Sequence, residues 1–138
     1  MLKISKNMNI LASKINVHQE IEKFYKMYLL TEDGKLKNKI SKINNPDGSQ
    51  YIGELNDNIK NGKGVMIYKN NDRYIGGWKD DMYHGTGIYY FANEDFYYGE
   101  LYEGKKHGIG MYKFKNGNYY HGNWEFNRKN GKGVFYNN

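Results

Sequence analysis

The sequence predicts a mainly β protein: an elongated, single-layer antiparallel meander of hairpins preceded by one α-helix. Three observations predict it. A tyrosine–glycine pattern starts at Tyr51 and returns at Tyr74, Tyr97 and Tyr120, every 23 residues without a slip. Each interval holds two short runs whose residues alternate in the two-residue period of strands, joined by polar turn residues. Ahead of them, residues about 14–30 repeat their apolar residues every three or four positions, the period of a helix.

The helix comes first in the chain. Val17, Ile21, Phe24, Tyr25, Tyr28 and Leu29 form one apolar stripe, with Glu20, Glu22, Lys23 and Lys26 off it. Asn16 or Ser13 supplies the N-terminal cap. A helix this short is marginal alone in water, so the stripe needs a cover. Three covers fit: its own sheet or first strand, a partner protein, or a membrane. Turn signals follow at Glu32–Gly34 and Asn45–Gly48. Residues 28–48 leave room for a degenerate repeat, because Tyr28 lies 23 residues before Tyr51, although Leu30 and Lys39 stand where later units have glycine. The chain thus divides into a basic arm, 1–46, and four units at about 47–69, 70–92, 93–115 and 116–138.

Four columns define the units. Tyr51, Tyr74, Tyr97 and Tyr120 form the first; Gly53, Gly76, Gly99 and Gly122 the second; Leu55, Trp78, Leu101 and Trp124 the third. Paired glycines close each unit: Gly62/Gly64, Gly85/Gly87, Gly108/Gly110 and Gly131/Gly133. In the first unit the strands read as roughly Tyr51–Leu55 and Gly64–Tyr68, with a six-residue loop, Asn56–Asn61, leading into Gly62. Tyrosine, glycine and leucine or tryptophan then share one face. Glycine weakens a strand unless something must approach its backbone closely. The expected visitor is an aromatic ring, so glycine is the hole and tyrosine or tryptophan the lid. The first glycine of each pair also suits a positive φ. Short polar links ("KNND", "ANED", "KNGN") make the units a continuous meander with exposed end strands.

These columns, as in "YIGGWKDDMYHGTGIYY" and "YYGELYEGKKHGIGMYKF", resemble MORN (membrane occupation and recognition nexus) repeats over residues about 47–138. Asn61 and Asn130 depart from the family's histidine. The resemblance implies an elongated twisted hairpin sheet used for protein–protein contact, dimerisation or scaffolding, often beside membranes or the cytoskeleton. Lipid-kinase and lysine-methyltransferase domains accompany such repeats in some relatives, and neither has room in these 138 residues.

Composition narrows the function. The net charge is +6, but residues 1–46 carry nine Lys against four acids and residues 47–138 carry twelve Lys/Arg against eleven acids. The repeats are nearly neutral, which argues against nucleic acid. There is no cysteine for a disulfide or thiolate metal site. The first residues lack the apolar centre of a secretory signal, and their basic, acid-poor run leaves a mitochondrial destination open beside a cytoplasmic one. His84 and His107 sit one unit apart, about 10 Å, too far to share one ion, and their column suits a hydrogen-bonding task at a strand entrance. Glu54 and Glu100 are two units apart and read as solvent-facing; Lys60, Lys106 and Lys129 read as solvated loop charge. No nucleophile–base set and no phosphate-cradling motif is present, so no catalytic residue, metal or cofactor is expected. The leading reading is a non-catalytic scaffold that holds another protein by its aromatic face, with Tyr74, Trp78, Tyr89, Tyr97 and Tyr112 as contacts, or by its open edge, where a second copy could also pair. The alternative is a peripheral adaptor binding anionic lipid through the basic helical arm.

Overall fold

The computed structural model describes residues 16–138. Among the described residues the chain forms an α-helix, α1 (Val17–Phe24), continued by a π-helical turn (Tyr25–Leu29), and then nine strands. These are β1 (Ile40–Asn44), β2 (Gln50–Asn56), β3 (Ile59–Ile67), β4 (Arg73–Lys79), β5 (Met82–Tyr90), β6 (Phe96–Tyr102), β7 (Lys105–Lys113), β8 (Tyr119–Glu125) and β9 (Arg128–Tyr136). Each strand pairs antiparallel with the next, so the sheet order is the chain order. The sheet is an open meander about 38 Å from first strand to last at the usual strand spacing.

The strands are longer than the glycines suggested. The six-residue loop within each unit is instead a two-residue turn with both residues left-handed: Asp57–Asn58, Asp80–Asp81, Glu103–Gly104 and Phe126–Asn127. Asp, Asn and Gly tolerate that conformation, and its twist matches the flanking strands. Polar residues such as Lys60 and Asn56 therefore extend the ladder rather than the loop. Between units, a turn ends on a left-handed Asn71, Glu94 or Gly117.

The helix begins one residue after Asn16, whose side chain accepts hydrogen bonds from the amides of His18 and Gln19. The alternative cap, Ser13, and the expected first turn from residue 14 lie outside the described residues, as do Lys3, Lys6 and Lys14 of the basic arm. The apolar stripe turns onto the sheet rather than over its end. Leu29 is fully buried against Ile40, Ile52, Val65 and Ile75, with Ile21, Phe24, Tyr25 and Tyr28 packed around them. Strand β1 stands where a preceding unit would have its second strand: Ile43 opposes Tyr51 as Met66 opposes Tyr74.

The sheet thus has two different faces. One is the helix-covered face. On the other, Tyr51, Met66, Tyr74, Trp78, Tyr97, Leu101, Tyr120 and Trp124 form the main cluster, made of sheet residues alone.

Candidate binding face

The ring-bearing face is built on a row of glycines. Gly53, Gly64, Gly76, Gly87, Gly99, Gly110, Gly122 and Gly133 oppose one another from β2 to β9 without interruption. Each first-column tyrosine lies over two of them. A Cβ on Gly87 would stand 2.7 Å from Tyr74 Cζ, and one on Gly64 2.6 Å from Tyr51 Cζ. Tyr97 covers Gly99 and Gly110, and Tyr120 covers Gly122 and Gly133.

Why the ring stays down is visible one residue further on. Each first strand carries a bulge between its glycine and its Leu or Trp, at Glu54, Gly77, Glu100 and Asn123. A bulge takes a residue out of regular pairing. The tyrosine hydroxyl donates to that residue's carbonyl: Tyr51 to Glu54 at 2.8 Å, Tyr74 to Gly77 at 2.8 Å, Tyr97 to Glu100 at 2.7 Å and Tyr120 to Asn123 at 3.2 Å. Opposite the bulge sits the first glycine of each pair, left-handed at Gly62, Gly85, Gly108 and Gly131. Glu100 is exposed, as expected, and Glu54 is half-buried, and both also bond across the bulge. Their carboxylates accept from the amides of Lys63 (2.5 Å) and Ile109 (2.6 Å) across the bulge. Those hydrogen bonds to Glu54, with Lys39 beside it, hold its carboxyl below the ordinary range against the opposing effect of burial.

Tryptophan is not a second lid. Trp78 stands edge-on to Tyr51 and Tyr74, at 5.5 and 5.1 Å, and its indole donates to the Gly64 carbonyl of the preceding unit at 3.2 Å. Trp124 repeats this with Tyr97, Tyr120 and the Gly110 carbonyl at 3.0 Å. The lysine column is also part of the face. Lys60 sits 5.6 Å from the Tyr51 and Trp78 rings, Lys106 5.3 Å from Trp124, and Lys129 4.9 Å from Tyr120. In the second unit Tyr83 takes this place and stacks on Tyr74 at 4.0 Å. In sequence, loop charge and ring-capping charge look alike until the turn length is known.

The expected contact residues divide. Tyr74 and Tyr97 are fully buried and Trp78 is 5% exposed, so these three form the floor and cannot meet a partner directly. Tyr89 and Tyr112 are half-buried and remain accessible. They belong to a ring ladder that the sequence reading only partly marked. Tyr89 lies 4.6 Å from Phe91, Phe91 5.7 Å from Tyr112, Tyr112 4.9 Å from Phe114, and Phe114 6.3 Å from Phe135. Asp72 and Asp95 hold its margin, accepting from the hydroxyls of Tyr89 (2.9 Å) and Tyr112 (3.0 Å) and from the amides of Ala92 and Lys115 one unit on.

The helix-covered face keeps less surface free. A half-open cleft of about 270 Å³ runs beside the helix, lined by Phe24, Met27, Ile75 and Ile88 with Lys23 and Lys63 at its margin. His84 and His107 lie among tilted rings, Tyr102 at 5.8 and 5.6 Å and Phe126 at 5.3 Å from His107. His107 Nδ1 is buried without a partner. Among the described residues no group of three or more His, Asp or Glu side chains could hold a metal ion, and no helix is long and apolar enough to cross a membrane.

Burial also governs ionisation. It raises the phenols of Tyr51, Tyr74 and Tyr97 well above their ordinary value, and burial with the Asp95 hydrogen bond pushes Tyr112 up to about 12. A pKa raised by folding favours the native state while the pH is below the unfolded value of about 10, and that advantage is lost as the pH climbs toward the folded value. Stability should therefore hold up to pH about 10 and fall above it. Tyrosinate absorbance should rise together with loss of the far-ultraviolet β signal. Smooth titration of all fifteen tyrosines near pH 10 in a still-folded chain would contradict this.

No curated protein matches the chain. The MORN repeat matches four times in succession, at residues 51–73, 74–96, 97–119 and 120–138, each match beginning on the tyrosine that covers its glycines. Repeats of this kind are generally protein- or membrane-interaction modules and are generally non-catalytic. With four consecutive matches across most of its length and the tyrosine–glycine geometry repeated in each, the chain belongs to the MORN repeat family.

Proposed function

We propose that this protein is a non-catalytic interaction module that holds another protein on its ring-bearing face. One observation carries the reading: the ladder Tyr89–Phe91–Tyr112–Phe114–Phe135 runs across five strands, half-buried to exposed, and no described residue outside the sheet packs on it. Aromatic rings dominate binding energy at interfaces. Rings already packed against one another lose little freedom on binding, so little entropy opposes it. The buried tyrosines beneath serve as a rigid floor.

The other readings are less well supported. A lipid adaptor would use the apolar stripe of α1, and that stripe is packed on the sheet through Ile21, Phe24 and Leu29. Antiparallel pairing of β9 with a second copy, centred on the strand, would set Lys132 opposite Lys132, and like charges disfavour it. The test is affinity capture from native extract by the full chain and by a Phe91→Ser/Phe114→Ser variant whose fold is verified by circular dichroism. The variant should lose the proteins that the parent retains. Equal capture by the folded variant rejects the ring ladder as the site.

A further inference from the structure

The ring ladder is bordered by two ammonium groups that have no carboxylate partner among the described residues. Lys106 Nζ lies 5.7 Å from the Tyr112 ring and 5.3 Å from Trp124, and Lys129 Nζ lies 5.9 Å from the Phe135 ring and 4.9 Å from Tyr120. In the first unit the corresponding Lys60 has Asp81 at 3.5 Å, from the turn of the next unit. In the third unit that turn position is Asn127, whose amide oxygen accepts only from the Lys106 backbone, at 2.9 Å. Among the described residues neither Lys106 nor Lys129 pairs with a carboxylate. Burial holds Lys106 below the usual lysine range. Asp95, at the ladder's margin, is engaged with the Tyr112 hydroxyl and the Lys115 amide.

The spacing selects the shape of the complement. Lys106 and Lys129 are one unit apart, which is two strand spacings or about 9.6 Å. Along an extended strand, residues on one face repeat at about 6.8 or 13.5 Å, and neither fits. Along a helix, positions i and i+7 lie about 10.5 Å apart on one face. From Tyr89 to Phe135 the ladder crosses four strand spacings, about 19 Å, the length of about 13 helical residues.

Resting on the reading of this face as a protein-binding surface, we infer that its occupant is an amphipathic helix lying across strands β5–β9. The helix sets its apolar stripe on the Phe91–Tyr112–Phe114–Phe135 rings and two acidic side chains, seven residues apart, on Lys106 and Lys129. The Asp81-to-Asn127 exchange is what vacates the third unit for the partner's acid.

The test is selection of a displayed library of 15-residue, alanine-based helical peptides, randomised along one side, on the immobilised full chain, followed by fluorescence anisotropy of the enriched peptides. Enriched sequences should carry Asp or Glu seven residues apart beside an apolar stripe. Lys106→Met/Lys129→Met keeps the stems over the rings and should weaken binding about a hundredfold, roughly tenfold for each charge pair. Parallel selection on Phe91→Ser/Phe114→Ser separates the two levels of the claim. Enriched peptides without paired acids, or binding unaffected by the lysine changes, overturn the acidic-helix inference; if such binding still needs Phe91 and Phe114, the ring face stands. Binding indifferent to those two rings overturns the ring-face reading itself. A library that yields no binder overturns the inference as well.

Discussion

Gly110→Ala should destabilise the sheet by at least about 3 kcal/mol, lowering Tm by about 10 °C or more. The added methyl would lie 2.6 Å from Tyr97 Cε2 and closer still to the phenol oxygen. Tyr97 cannot yield. It is fully buried, its hydroxyl is bonded to the Glu100 carbonyl, and the Trp124 ring stands edge-on 5.6 Å away. Tilting the ring would break that hydrogen bond and strip cover from Gly99 as well. The matched control is Gly85→Ala. Gly85 has φ +76 with nothing within 4 Å of a built Cβ, so only backbone strain of about 1–2 kcal/mol applies. Urea unfolding of the two variants compares a filled hole with a strained turn. If Gly110→Ala is no worse than Gly85→Ala, the tyrosine is not a tight lid.

Removing the lid from the other side should cost as much. Tyr97→Ala leaves a cavity over two glycines and should lose about 3–5 kcal/mol, as large-to-small core changes do. Tyr97→Phe keeps the ring and deletes only the hydroxyl. It leaves the bulge carbonyl of Glu100 without its 2.7 Å donor and should cost about 1–3 kcal/mol. The ordering Ala, then Phe, then parent in denaturant midpoint is the expected result. A phenylalanine variant as stable as the parent would mean that water satisfies the bulge and that the hydroxyl has no structural task.

The period, the hairpins and the tyrosine-over-glycine packing were legible in the sequence because steric need writes itself into residue type. Only glycine accepts a ring at van der Waals contact with its backbone, so Gly64, Gly87, Gly110 and Gly133 could be read without coordinates. Direction was harder. Alternation places Tyr74 and Trp78 on one side of a strand, but whether they cap that side or lie beneath other groups depends on Tyr83 and Lys60, which the apparent loop concealed. That is why the accessible rings turned out to be Tyr89 and Tyr112 with Phe91, Phe114 and Phe135, rather than the first and third columns. The bulges were invisible for a related reason. Glu54, Gly77, Glu100 and Asn123 share no chemistry, since what matters there is a backbone carbonyl. The helix was legible as amphipathic and its cap as Asn16 or Ser13, but periodicity carries no information about which surface receives the stripe.

The alternation of leucine and tryptophan in the third column divides the array into couples. Trp78 ties the second unit to the first through the Gly64 carbonyl, and Trp124 ties the fourth to the third through Gly110. Leu101, at the junction of the second and third, has no donor to offer across β5 and β6. In a stack whose cohesion is a sum over neighbouring joints, that seam is the weakest of the three. Under mechanical tension or during partial thaw of the fold, the protein should part there first, into halves that each keep two intact hairpin units.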